Sequence, residues 1–306
     1  MIKDTEFHGW KALSLTTEHA ELVLPVEIGP RVISCSLDGG ANLFATFEDQ
    51  LGGKGEPDYK VRGGHRLWHA PENPVRTYQP DNAPVAVKIL GENGVELTET
   101  VESATGIEKS MTVETINATS FRVTHRLTNR NLWPVNLAAW GVTQVRRDSY
   151  AVLPFAQRLP HTEATLLPNM ALAMWPYTDF SKPSWQFRAN YLGIDVEKAS
   201  GSQKVGLTNF PGWAACWTPD GTFVKYYKFF ASAIYPDLGS RFEAYTCDVM
   251  IELESLGPLV EVPAGGHVDH IEYWGLLKGL QKPDTDKVFM DKFRPVIEHW
   301  LEHTRA

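Results

Sequence analysis

Along most of the chain apolar and polar residues alternate with a period of two, the pattern of strands that bury one face. "AELVLPVEIG" and "RVISCSL" open the series and meet at a Gly-Pro turn. "VAVKIL", "VELTETVE", "IEKSMTVET" and "FRVTHRLTN" follow, separated by Gly- or Asn-containing turns such as "GENG". "VNLAAWGVTQV" is longer and more apolar, which predicts a strand buried on both faces. Pro154, Pro160, Pro168, Pro176 and Pro183 then punctuate a stretch of weaker periodicity, expected to hold long loops and short edge strands. Strands resume at "GWAACWT" and "TFVKYYKFF" and continue through "FEAYTCDVMIELES" and "VDHIEYWGLLKG". From Asp284 the period changes. Val288, Phe289, Phe293, Val296, Ile297, Trp300 and Leu301 recur at helical spacing, with Pro295 expected to kink the helix. The pattern predicts an all-β protein: a large antiparallel β-sandwich over residues 1–280, with residues 281–306 as a C-terminal helix packed on the same domain.

Composition narrows the function classes. A chain of 306 residues need not be two domains, because all-β sandwiches are often this large. Its 43% hydrophobic and 22% charged residues are those of a soluble globular protein. A net charge of -8 opposes nucleic acid as the main partner, since a phosphate backbone needs a basic surface. Three cysteines without a CxxC pattern do not make a disulfide framework. The opening "MIKDTEFHGWKALSL" has no apolar leader, and no stretch reaches membrane-spanning length. The expectation is a cytoplasmic protein with no membrane partner. Ten Trp, ten Tyr and fourteen Phe serve mostly a β-rich core, and some can stack on the C–H faces of pyranose rings.

Two stretches carry candidate chemistry. "VRGGHRLWHAPE" (61–72) places His65 and His69 at the spacing of a helical zinc site. Arg66 stands where a zinc protease has its glutamate, and Pro71 and Pro74 leave little room for a helix, so no metal is expected there. A structural loop turning at Gly63 and Gly64 is one reading. A sugar-binding loop is the other: Arg and His pair with vicinal hydroxyls, Trp68 can stack on a ring, and a histidine can move a proton near neutral pH. The second stretch, "VMIELESLGPL", reads as a central strand with Glu252 and Glu254 on one face, their Cα atoms roughly 6–7 Å apart. Carboxylates so placed must find partners or face a cleft, and their mutual repulsion should raise one pKa. An exposed edge strand is the bland alternative.

Together the segments resemble the galactose mutarotase-like (aldose 1-epimerase-like) proteins, and among them an uncharacterised bacterial group. "IGPRVISCSLDGGANLF" is similar to the opening strands of that superfamily, "RGGHRLWHAPE" to its Gly-Gly segment, "THRLTNRNLWPVNLAAW" to its "LTN" strand-turn-strand, and "IELESLGP…VPAGG…HIEYWGL" to its closing strands. The resemblance spans roughly residues 20 to 278. It implies a β-supersandwich with a sugar cleft across one sheet, an isomerase that uses no cofactor, and a glutamate that removes the anomeric hydroxyl proton while a histidine donates to the ring oxygen. The glutamate maps to Glu254, with Glu252 one step away, and the basic residue before the glycines maps to Arg62. The usual acid histidine has no counterpart: Trp140 or Gly141 occupies its place. His65 is then the preferred acid, with Arg62, Trp68, His69, Glu252 and Trp140 orienting a sugar. Arg62 and Arg66 suggest an anionic sugar. A glycoside hydrolase or lyase using Glu252 and Glu254, and a sugar-binding module without activity, are the alternatives.

Overall fold

The structure, a computed structural model, describes residues 1–304. Two large antiparallel sheets face each other. The ten-stranded sheet runs, edge to edge, through Trp185–Phe187, Tyr191–Asp195, Tyr150–Pro154, Trp213–Thr218, Gly221–Tyr227, His267–Leu277, Ser120–Asn129, Ile107–Asn117, Gly94–Thr98 and Ala86–Leu90. The eight-stranded sheet runs through Leu172–Met174, Gln203–Leu207, Phe242–Thr246, Met250–Leu256, Val135–Arg146, His65–Ala70 and Arg31–Val32, with Val260–Val262 beside the start of Val135–Arg146. A four-stranded N-terminal sheet, Ile2–Phe7, Trp10–Thr16, Ala20–Pro25 and Ser34–Leu37, completes the β structure. This is the large antiparallel all-β sandwich that the sequence pattern predicts. The proline-punctuated stretch supplies Leu172–Met174 and Trp185–Phe187, three-residue strands at the ends of the two large sheets.

Val135–Arg146 is the central strand of the eight-stranded sheet, and its side chains divide by alternation. Leu137, Ala139 and Val145 join the main core between the sheets with Leu67, Ile251 and Leu253. Ala138, Trp140 and Val142 join a separate cluster on the other face with Trp68, Ala70 and Leu256. In the middle of the main core Phe44, Phe223 and Trp274 meet edge to face.

One expectation is corrected. Residues 65–70, expected within a loop, form a strand paired with Val135–Arg146 and buried along its whole length. The strand lacks the apolar/polar signature because its two faces both carry polar side chains. The Gly-Gly turn does set its start. Gly63 and Gly64 have φ of 104° and 75°, and a Cβ on either would strike the backbone of the neighbouring strand or loop.

The C-terminal segment is helical from Asp286 to Thr304, through a five-residue π-helical turn, Phe289–Phe293, just before Pro295. In the π turn the Arg294 N–H reaches back to the Phe289 carbonyl, directly before Pro295, which has no N–H to donate. Residues 305 and 306, the end of the expected helix, lie outside the described residues. Phe289, Phe293, Ile297, Trp300 and Leu301 bury against Tyr150, Val152, Tyr191, Trp213 and Val224 on the outer side of the ten-stranded sheet. Trp300 lies over Gly275, and its indole Nε1 donates to Ser120 Oγ at 2.9 Å. Among the described residues no helix is long and apolar enough to cross a membrane, and all three cysteines are free. Trp300→Ala is expected to lower unfolding free energy by about 3–5 kcal/mol, the usual range for deleting a buried aromatic. Urea denaturation followed by far-UV circular dichroism checks this.

Candidate functional site

Strand register decides which polar side chains meet. Val142 pairs with Arg66 on one side and Glu254 on the other, Trp140 with Trp68 and Leu256, and Gln144 with Glu252. Directly paired residues share a face. Arg66, Trp68, Trp140, Gln144, Glu252 and Glu254 therefore all point outward, away from the ten-stranded sheet. Tyr245 and Glu243 join them from Phe242–Thr246, and Lys204 from Gln203–Leu207.

This outer face floors a cleft of about 530 Å³, walled by Tyr59, Glu72, Tyr78 and Tyr177 from the loops. Trp68 meets Trp140 and Tyr78 edge to face at 5.2 Å, and the Arg66 guanidinium lies 4.2 Å over the Trp68 ring. Glu252 Oε1 accepts from Arg66 Nη2 at 2.9 Å and from Gln144 Nε2 at 2.7 Å. Glu254 is fully buried, and its Oε2 accepts from Trp140 Nε1 at 2.8 Å and Lys204 Nζ at 2.9 Å. Lys204 also lies 2.8 Å from Glu243 Oε2, a charge contact without hydrogen-bond alignment. Burial pushes the Glu254 carboxyl up to about 7, with Lys204 pulling against it. Burial also holds Glu243 well above the carboxylate range. Lys204 stays charged: burial would lower it, and the two carboxylates outweigh that. Arg66 Nε and Nη1, Gln144 Oε1, Tyr59 Oη and Glu254 Oε1 are buried with no partner among the described residues. Buried polar atoms are seldom left so; Arg66, Gln144 and Tyr59 line one cleft, and Glu254 lies against its lining residues Trp140 and Lys204.

The opposite face of the same strands holds a different network. His65 Nδ1 is 2.8 Å from Thr143 Oγ1, and His65 Nε2 is 2.6 Å from His125 Nε2. His125 Nδ1 lies 3.0 Å from the His270 carbonyl, so Nδ1 carries the proton and Nε2 accepts from His65. His65 Nδ1 then accepts from the Thr143 hydroxyl, which accepts from Lys225 Nζ at 3.0 Å. Lys225 also pairs with Glu272 at 2.8 Å, and Glu272 accepts from Ser255 and from Trp274 Nε1. Burial holds His65 well below the usual histidine range, lowers His125 as well, and takes His270 down to about 3. His65, His125 and Glu272 are close enough to hold a metal ion, but their hydrogen bonds close among themselves with the Lys225 ammonium in the cation's place.

No family model matches the sequence, and no curated protein matches it. Solved structures do match by shape. A galactose mutarotase-like protein from Lactobacillus casei ATCC 334 aligns over 87% of this chain and 99% of its own, with TM-score 0.58 and 11% identity. A galactose mutarotase related enzyme from Lactobacillus acidophilus aligns over 90% and 98%, with TM-score 0.52 and 7% identity. A TPR-domain containing protein from Parabacteroides distasonis ATCC 8503 aligns over 89% of this chain at TM-score 0.60 and 13% identity, and the chain spans 48% of that protein's length. The fold is galactose mutarotase-like.

Within that fold the sequence-derived candidates separate. Glu252, Trp68 and Trp140 line the cleft, and Glu254 is buried against the lining Trp140 and Lys204. His65 does neither: alternation turns it to the interior, across the sheet from Glu254. His69 also faces inward, where its Nε2 is 3.3 Å from Glu102 beside Lys109. Arg62 is fully buried at φ 57° before the glycines, spending its guanidinium on Glu56, Asn82 and the Gln50 carbonyl. Arg66, read in the sequence as opposing a metal and suiting an anionic sugar, holds the cleft position instead. Lys204 and Glu243 were not found from sequence. Their one signal was a lone charge inside a strand, "QKVGL" or "FEAYT", whose other positions are mostly apolar or small.

Two outcomes follow. Lys225→Met should cost roughly 3–5 kcal/mol of stability, because it strands the buried Glu272 charge; chemical denaturation measures it. Glu254 has a folded pKa of about 7 against 4.5 unfolded, so it binds its proton more tightly when folded. Its contribution is fully present below about 4.5 and is lost as pH rises through 7. The stability of Glu254→Gln relative to the unsubstituted protein should therefore climb across that window and level off above it, in urea melts at a series of pH values.

Proposed function

We propose that the cleft binds a free sugar and interconverts its anomers, with Glu254 as the general base. The observation that carries this reading is the ring of unpartnered buried polar atoms around an aromatic-walled cleft. It offers donors from Arg66 and an acceptor at Gln144, with the unpaired Glu254 Oε1 just behind the lining Trp140 and Lys204. A polyhydroxylated ring presents both donors and acceptors and has apolar C–H faces that suit Trp68. The names borne by the structural neighbours point the same way.

The chemistry uses groups on one face. Glu254, with its carboxyl near 7, takes the proton of the anomeric hydroxyl. The C1–ring oxygen bond breaks as the C1 carbonyl forms, and the ring oxygen carries the released electron pair. The unpaired N–H groups of Arg66 stabilise that charge, acting as fixed donors. Rotation about C1–C2 exposes the other carbonyl face. The ring oxygen attacks, and Glu254 returns the proton to the new anomeric hydroxyl. Glu252, held by Arg66 and Gln144, orients a neighbouring hydroxyl. The free guanidinium N–H groups also suit a carboxylate or phosphate substituent, so hexuronic acids and hexose phosphates belong beside neutral hexoses in any panel.

A module that binds sugar without turnover is favoured by one observation: among the described residues no histidine lines the cleft. Hydrolysis is less supported, because Glu252 and Glu254 project from one strand and each already accepts two hydrogen bonds. Polarimetry or saturation-transfer NMR on freshly dissolved anomers decides. Catalysed interconversion is expected, with a rate that rises through about pH 7 and falls at least about 100-fold in Glu254→Gln. Saturable binding with no change in anomer rate supports the module instead. Binding of no sugar overturns both.

A further inference from the structure

We infer that His299, Glu302 and His303, on the last helix, form a surface site for a transition-metal ion such as Zn2+. The three stand at i, i+3 and i+4 of Arg294–Thr304, so they share one face, and their ligand atoms lie within 4.8 Å of one another. That face is the exposed one, since Ile297, Trp300, Leu301 and Thr304 are the buried residues of the helix. The site is thus far from the cleft, on the outer side of the other sheet.

Three features beyond proximity suit a metal. The donor set, two imidazoles and a carboxylate, is the borderline mixture that zinc and its neighbours take, and water can fill the open positions. His303 Nδ1 lies 2.8 Å from the His299 backbone carbonyl, a contact that requires Nδ1 to be the donor. The tautomer is thereby fixed with the Nε2 lone pair free, which is how ligating histidines are usually held. The site also occupies the final turn of its helix, where the backbone carbonyls leave a partial negative charge that favours a cation. The buried group His65, His125 and Glu272 has none of this freedom, because its nitrogens are committed to each other and an ammonium already faces its carboxylate. A metal here would clamp the last turn of the helix whose Trp300 and Leu301 seal the ten-stranded sheet.

The test is a Zn2+ titration of the metal-stripped full chain by calorimetry. One equivalent is expected to bind, and His299→Ala and His303→Ala are each expected to weaken it about tenfold or more. Zn2+ should raise the melting temperature of the unsubstituted chain and not that of the double variant. Since both histidines are exposed, the metal-free melting temperatures of the variants should match the original. Cu2+ bound to the unsubstituted chain should show nitrogen superhyperfine coupling from two imidazoles by electron paramagnetic resonance, a readout that needs no variant. No saturable binding, unchanged binding in the double variant, or a copper signal without nitrogen coupling would each overturn the proposal.

Discussion

A strand side chain has only two directions to go, and three neighbouring strands of this sheet carry polar residues in both. His65–Ala70, Val135–Arg146 and Met250–Leu256 lie side by side, so their alternation adds up across the sheet. One set, including His65, Thr143 and Ser255, goes inward against the second sheet. The other, including Arg66, Gln144, Glu252 and Glu254, goes outward. A register slip of one residue would exchange the two sets, and neither would then meet its partners.

The two faces meet the cost of burying polar groups differently. Inside, donation runs from Lys225 through Thr143, His65 and His125 to the His270 carbonyl, while Glu272 accepts from Ser255 and Trp274 and pairs with Lys225. Little is left over, and nothing there invites a ligand. Outside, Arg66, Gln144 and Tyr59 each keep an unused atom around an open cleft, and Glu254 keeps one behind it. The same contrast separates two neighbouring arginines. Arg62 is saturated by the loop it ties down, and Arg66 is half used.

Much of this was legible in the chain. Period-two alternation gave the sheets, helical spacing gave the tail, and the pairing of Glu252 with Glu254 followed from their separation by two. The strand at residues 65–70 was hidden because polar side chains on both faces erase the alternating signal. Arg62 was drawn to the site by the family resemblance, and His65 by its place beside the same Gly-Gly turn. Only the register shows that His65 points inward and that Arg62 closes a turn. Lys204 reaches Glu254 from 50 residues away along the chain, a distance over which no local pattern operates.

The two-face account is tested most directly through indole N–H signals. Trp140 donates to Glu254 on the cleft side, and Trp274 donates to Glu272 in the interior. In a 1H–15N spectrum recorded while a free hexose or hexuronic acid is added, the Trp140 indole signal should move saturably and that of Trp274 should stay in place. An immobile Trp140 signal across the panel, or a shift confined to Trp274, would contradict the account.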